Sequence, residues 1–563
     1  MNLPKHLVIL GATLLFGLQA FAIGQRAEEK SAHSDRFDVR EFGAKGDGTT
    51  LDTQAIEAAI GAANKAGGGT VVFLPGTYLT GTFRLLSNVT LDVEAGAVIQ
   101  GSGKVADYGA IEDFGFGRTY GLDYTGEGSR VGLIVAENAE NVGILGRGTI
   151  NGNSDAFFDF TKPHYSLDFD PKYTRQGQGF MDAVLNTGDG PIDFVPTGRA
   201  GTMIIFSHCK NVLIRDITLR NAPNWTVHLQ TVQGAVVEGI HILNDLRIPN
   251  NDGVDCIGCR DVHFSDCDIR TGDDDFAIVG SEDVSVNNCS LTSNSSAIRL
   301  EDTRSSVFSN LTIHANRGIG IYERGKGRTA SVLFSGIVID THLLTGHWWG
   351  KGEPIYIAIG ETKGLAGSVS DVRFSNVSAE GENGIVLHGD PKGSIRDISF
   401  DHVWLHLRVT RKDVNAAVGG NFDLRWTTDS LKTAVFEHDI PGMYARFVKG
   451  LEIHGLNMQW ADGMPGYYSS AFELEDVQDL TIDRFQGRQA TIGSDNPVIA
   501  LKRVNGVSIR DCVATEGAST FLSANQVTGE RLFAGNDLSD ARQAFDAKTG
   551  FTLTGNLLPA KKK

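Results

Sequence analysis

The sequence predicts an all-β solenoid, a parallel β-helix of short coils with one N-terminal capping helix, and three observations carry that prediction. The first is a repeat. Asp252-Gly-Val-Asp-Cys-Ile-Gly is followed 22 residues later by Asp274-Asp-Phe-Ala-Ile-Val-Gly, so Ile257 falls on Val279, Val262 on Val284 and Cys267 on Cys289. The second is the make-up of each unit, short alternating runs such as Val262-His-Phe, Val284-Ser-Val and Leu311-Thr-Ile broken by Asn, Asp, Ser and Gly. Such runs are too short for helices and read as strands between turns. The third is composition: 68 Gly against 14 Pro in 563 residues mark many tight turns rather than disorder. A unit this short buries its apolar face only on its neighbours, and stacked strands lie about 4.8 Å apart. Residues one period apart are then vertical neighbours, and Cys267 over Cys289 reads as a buried stack in preference to a disulfide.

The elements follow in order. Lys5 precedes an apolar run from Leu7 to Phe21 that ends in Ala20-Phe21-Ala22, so residues 1–22 are predicted to be a signal peptide. That implies a secreted or periplasmic protein with no membrane association after cleavage. Residues 23–35 read as a linker, and 36–556 as one β-helix domain. Asp52 is the predicted cap of a helix at about 52–66, with Ile56, Ala59, Ile60 and Ala63 on one face and Gly67-Gly68-Gly69 as its stop. This helix would cover the open end of the solenoid. Coil-like units recur at 201–223, through the Asp252 repeat, at Ser296-Ala-Ile-Arg-Leu and Gly318-Ile-Gly-Ile-Tyr, and at 355–407, 445–460, 470–485, 497–513 and 528–556. Segments at about 154–200 and 408–444 break the rhythm and are expected to be long loops, the usual place for a site on a rigid scaffold. Residues 557–563 form a basic tail. A capped β-helix needs no partner for stability, so a monomer is expected.

Charge narrows the function. With 51 Lys+Arg against 68 Asp+Glu, the formal charge is −17, which argues against a nucleic-acid partner. Hydrophobic residues at 41% and charged residues at 21% exclude collagen, a disulfide scaffold, a coiled coil and a multi-span membrane protein. Cys256-x-x-Cys259 has no second ligand pair at zinc spacing.

Asp252, Asp255, Asp273, Asp274 and Asp275 fall within 24 residues, and the period sets Asp252 next to Asp274 on adjacent coils with Asp273 beside them. Close carboxylates repel, which raises at least one pKa and leaves others ionised. A protonated acid beside ionised partners is what glycosidic hydrolysis requires. Asp pairs also form solvated turns, and carboxylate clusters also hold Ca²⁺, so spacing alone leaves these readings open.

Here the residues carry a resemblance. Asn250-Asn-Asp-Gly-Val-Asp255 followed by Thr271-Gly-Asp-Asp-Asp275 resembles glycoside hydrolase family 28, the polygalacturonases, which are right-handed parallel β-helices. Phe37-Asp-Val-Arg-Glu-Phe-Gly-Ala-Lys-Gly-Asp-Gly, Gly148-Thr-Ile-Asn-Gly152, Asn221-Ala-Pro-Asn-Trp225 and His438-Asp-Ile-Pro-Gly-Met-Tyr-Ala-Arg446 extend the likeness over roughly 36–545. The resemblance implies Asp273 as general acid, Asp252 and Asp274 as holders of the attacking water, inversion at the anomeric carbon, and no metal or organic cofactor. Asp255 matches a further motif position and is expected near the substrate.

Two family motifs are missing. The family's Gly-His-Gly is replaced by Ser293-Asn-Ser-Ser-Ala-Ile-Arg-Leu300, and its Arg-Ile-Lys by Gly320-Ile-Tyr322. Arg299, Tyr322 and Arg324 are therefore the candidate substrate contacts, while Lys326 and Arg328 read as a solvated turn. Trp348 and Trp349 stand together in a Gly-rich polar segment; one is expected to be buried and one to line the cleft. His347, Glu353 and Tyr356 are weaker candidates. The favoured expectation is an exported inverting hydrolase of pectin-type polysaccharide, on galacturonan or rhamnogalacturonan-derived chains. A β-helix polysaccharide lyase and a non-catalytic carbohydrate-binding solenoid remain the alternatives.

Overall fold

Alternating apolar residues build the walls of the coils in a computed structural model of the chain, which describes residues 35–110, 131–164, 169–186, 189–346, 348–425, 430–546 and 550–560. The predicted signal peptide, all but the end of the expected 23–35 linker and the last part of the basic tail lie outside the described residues. The central coils contain β1 (Val227–Gln230), β2 (Val254–Ile257), β3 (Phe276–Val279), β4 (Ser290–Glu301), β5 (Thr312–Arg324) and β6 (Ile355–Thr362). Each pairs in parallel with the next, and Val227, Val254, Phe276, Ile298, Ile319 and Ile355 fall in one register column. All six are fully buried. Burying such a side chain contributes about 1.5–3 kcal/mol, so a column repeated along the whole chain supplies the core that no single coil could. The fold is a parallel β-helix.

The same register stacks like on like. The rings of Phe308, Phe334, Phe374 and Phe400 lie 4.8, 4.9 and 5.0 Å apart on successive coils, nearly parallel to one another. That matches the spacing of hydrogen-bonded strands, about 4.8 Å. Cys267 and Cys289 are free and buried, one coil apart, as the repeat predicts.

Helix α1 (Thr53–Lys65) buries Ile56, Ala59, Ile60 and Ala63 against the first coils. Its predicted cap is corrected. Asp52 holds the N-cap position, but its carboxylate accepts from the Lys45 and Gly46 amides at 2.7 and 3.0 Å and caps nothing. The preceding turn uses it instead.

The expectation of one helix is also corrected. The two rhythm-breaking segments carry helices α2 (Gln178–Asn186) and α3 (Lys412–Val418), together with the antiparallel pairs Phe158–Pro163 with Ile192–Phe194 and Asn421–Asp423 with Val435–Glu437. Phe169, Phe180 and Val184 pack with Leu343, Val414, Val418 and Val435 in one small core. The Arg175 amide donates to Asn421 Oδ1 at 2.8 Å, and Asn421 Nδ2 donates to Gln176 Oε1 at 3.0 Å. Helices this short are unstable alone. They form because two segments distant in sequence share one apolar core, which leaves no long period in either.

Candidate active site

The connection from β1 to β2 is shaped by amide side chains. Asn244 Nδ2 donates to Thr226 Oγ1 at 2.8 Å and to the Asn251 carbonyl at 3.1 Å. Asn251 in turn donates to the Asp245 carbonyl and accepts from the Gly272 amide, at 2.8 and 2.7 Å. Gly272 has no room for a side chain, since a Cβ there would lie 2.4 Å from the Ile248 carbonyl oxygen. The Gly253 amide bonds the Asp274 carbonyl and the Val254 amide that of Asp275, both at 2.9 Å. Asp252 is thereby set against Asp274 on the next coil, with Asp273 one residue before it.

All the acids are withdrawn from water: Asp252 is 5% exposed, Asp255 2%, Asp273 8%, Asp274 5% and Asp275 0%. Asp275 is tied to Thr271, whose hydroxyl donates to its Oδ1 at 2.8 Å. Asp255 lies on β2 in a column that runs His228, Asp255, Ala277, Arg299 across β1 to β4. Burial holds His228 neutral, with its pKa lowered to about 3. Beyond the small Ala277, the Arg299 guanidinium comes within 3.7 Å of Asp274 Oδ2 and donates to Glu301 Oε2 at 3.1 Å. Asp273 Oδ2 accepts from the Asn250 backbone amide at 3.3 Å and from its side-chain amide at 3.4 Å.

Burial raises the pKa of Asp252, Asp255, Asp273 and Asp274, and repulsion between them adds to it at Asp252, Asp255 and Asp274, while Arg299 opposes the shift at every one. Asp274 is raised to about 7. The cluster therefore ionises less readily than free carboxyls do, and Asp252 Oδ1 and Asp255 Oδ2 are buried with no hydrogen-bond partner. Groups left in that state are typical of reactive sites. Among the described residues, no group of three or more His, Cys, Asp or Glu is arranged to hold a metal ion.

Tyr322 is placed beneath the acids, only 3% exposed, with its hydroxyl 3.0 Å from Ser296 Oγ and accepting from Arg317 Nη1 at 2.8 Å. Arg324 lies on β5 four residues past Gly320, the partner of Arg299, and so about 13 Å further along the strand. Lys326 and Arg328 are exposed, as a solvated turn requires. Trp348 is 2% exposed and donates from Nε1 to the Asp189 carbonyl at 2.6 Å; Trp349 is half-buried, with Arg425 4.6 Å from its ring centre. His347 lies outside the described residues.

Sequence reasoning found Arg299 but not the other cations that surround this site. Arg317 is fully buried between the acids and the Trp segment, paired through two bonds with Glu353 at 3.2 and 3.0 Å. Its guanidinium also sits 3.7 Å from the ring centre of Tyr356, whose hydroxyl donates to the Asp423 carbonyl. Arg425 makes two bonds to Asp423 at 3.0 and 2.8 Å. Arg199, from the end of the first insertion, reaches the loop that carries Asn250. No repeat marks any of these residues, whether the pair is local, as in Asp423–Arg425, or joins separate segments, as in Arg317–Glu353.

The comparisons agree with this architecture. Residues 176–294 match the model of glycosyl hydrolases family 28, and residues 36–125 the model described as rhamnogalacturonase A/epimerase, pectate lyase-like. A probable polygalacturonase of Vitis vinifera is 30% identical over 270 residues, 47% of each chain. An exo-poly-alpha-D-galacturonosidase of Dickeya chrysanthemi is 28% identical over 254 residues, 42% of this chain and 40% of that one. The matched region thus spans about half the length of these relatives. Among solved structures, an exopolygalacturonase of Thermotoga maritima superposes with a TM-score of 0.54 at 20% identity, over 75% of this chain and 91% of that one. A family 28 exopolygalacturonase of Yersinia enterocolitica gives 0.53 at 17% identity, over 80% and 78%. The family 28 model thus lies across the coils that carry the acids, and in those coils the chain is similar to polygalacturonases.

Proposed function

We propose that this chain is an exported, monomeric, inverting glycosidase that hydrolyses pectin-type polysaccharide. The observation that carries the reading is the stacking of Asp252 against Asp274, with Asp273 beside them, in a cluster that is nearly sealed from water. In this reading Asp273 protonates the leaving oxygen, and Asp252 and Asp274 hold and deprotonate the water that attacks from the opposite face. Asp255 and Arg299 form the floor on which the sugar sits. Arg299 lies one coil before the position of the family's absent Arg, so a uronate carboxylate has a cation in reach by a different route. The names of the relatives, polygalacturonase and exo-poly-alpha-D-galacturonosidase, support a galacturonate-containing substrate. The run Lys5 to Ala22 supports export.

The two insertions support attack at chain ends. They interlock with each other and with the Trp348 segment, which packs through Arg317 and Tyr322 onto the coil just after the acids. A cleft blocked there would admit one end of a polymer.

The test is digestion of homogalacturonan, rhamnogalacturonan and their oligosaccharides, with the first-formed anomer read by proton NMR and product sizes by mass. The expected result is a saturated product of inverted configuration, short from the earliest time points. A retained anomer would reject the mechanism, and a broad early ladder of oligomers would reject end attack.

A further inference from the structure

Arg199 is the last charged residue of the first insertion, and it makes contacts to the acid-bearing loop that the reading above does not use. Its Nη1 donates to the Pro249 carbonyl at 2.9 Å and to the Pro223 carbonyl at 3.4 Å, while Nη2 donates to Asn250 Oδ1 at 3.2 Å. The guanidinium lies 4.9 Å from the ring centre of Phe194, in the antiparallel pair that anchors the insertion. Arginine donates and never accepts. The atom of the Asn250 carboxamide facing Arg199 is therefore its oxygen, and the NH₂ must point the other way, toward Asp273.

Asn250 has a left-handed backbone, φ +54°, a conformation that Asn tolerates better than most residues. There its amide N–H and its side chain both reach the same oxygen, Asp273 Oδ2. An oxygen that accepts two N–H donors is the poorer place for a proton, which favours Oδ1 as the protonated oxygen of Asp273.

We propose that Arg199 is a positioning residue for the general acid: by locking the Asn250 carboxamide it keeps Asp273 Oδ2 an acceptor and assigns the transferable proton to Oδ1. The inference rests on the reading of Asp273 as proton donor. Without Arg199, a half-turn of the carboxamide presents the Asn250 oxygen to Asp273 Oδ2, which then takes the proton and points it at Asn250 instead of the substrate. Arg199 also contributes charge. The groups facing Asp273 are Asp252, Asp255 and Asp274, the Asp274 backbone amide, the Ser295 hydroxyl, Asn250, Arg299 and Arg199, so Arg199 is one of three cations, with Arg299 and Arg317, set against four carboxylates.

Arg199→Met and Arg199→Lys test this beside the wild type, with thermal melts confirming that each is folded. For Arg199→Met, kcat is expected to fall roughly tenfold or more while KM stays within about threefold. The alkaline limb of the pH–rate profile should move to higher pH, because removing a positive charge makes the acid harder to ionise. Arg199→Lys should return that limb to its wild-type position. An unchanged kcat in Arg199→Met, or a fall with the alkaline limb unmoved, would overturn the proposal. Neutron diffraction from deuterated crystals decides it without activity. In neutron structures, where deuterium positions are seen, the Asn250 oxygen should face Asp273 in Arg199→Met, and an Asn250 amide still donating its N–D to Asp273 Oδ2 there would refute the proposal even if the protein cleaved no pectic substrate.

Discussion

Two buried charge clusters lie side by side in this molecule and treat the same residue type in opposite ways. Around Asp273 and Asp274, four carboxylates face Arg199, Arg299 and Arg317, the pKa values rise all the same, and two carboxylate oxygens lack any hydrogen-bond partner. Under the Trp segment, Asp423 is just as buried, yet Arg425, Lys351 and Arg317 overcome its burial and hold its carboxyl well below the usual range. Glu353 is paired twice over by Arg317, and Lys351 is pushed down by burial to about 8. Desolvation costs both clusters several kcal/mol per ion. The second recovers that cost in matched pairs and is a clamp. The first is left unmatched, which is the condition for moving protons.

Substitutions can break or sharpen that contrast. The largest effect is expected at Asp273→Asn, which keeps shape and packing but removes the acid; kcat should fall about 10²–10⁴-fold, read by reducing-end release, with the melting temperature held or raised. Glu353→Gln should do the reverse. It leaves Arg317 charged and buried without its partner and should destabilise the fold by about 3–5 kcal/mol in chemical denaturation.

Asp252→Asn separates the clusters by pH. A carboxyl whose folded pKa lies above its unfolded value, near 4, contributes most below that unfolded value and loses its contribution as pH rises through the folded one. Asp252 is shifted in that direction. The Asn variant should therefore be more stable than the wild type at pH 8 by about 1–2 kcal/mol, with the gap closing toward pH 4. Equal gaps at both pH values would show that Asp252 is not raised. The smallest effect is expected at Trp349→Ala. Its half-exposed ring should cost affinity for oligosaccharide by about 1 kcal/mol, seen as a several-fold rise in KM, with the fold retained.

Much of this was legible in the sequence, and what was not has a common cause. The 22-residue offset set Val262 on Val284 and Asp252 beside Asp274 because vertical neighbours in a solenoid are also neighbours in sequence phase. The α1 face was legible because Ile56, Ala59, Ile60 and Ala63 keep one helical period against a single surface. Arg199 was not, since its contacts close between the first insertion and the acid-bearing loop, and nor were the Asp423–Arg425 pair inside the second insertion or the Arg317–Glu353 pair between β5 and the Trp segment, which no repeat marks. Asp52 shows the limit on the small scale: its N-cap position was visible, but the competition from the Lys45 and Gly46 amides was not.

The most direct test of the unmatched cluster as the chemical centre is turnover in ¹⁸O-labelled water. Wild-type protein and Asp273→Asn would be incubated with a galacturonan oligosaccharide and the products weighed. The account predicts one heavy oxygen at each new reducing end from the wild type and almost no product from the variant. An unlabelled, unsaturated product lighter by one water, or equal labelling from both proteins, would contradict it.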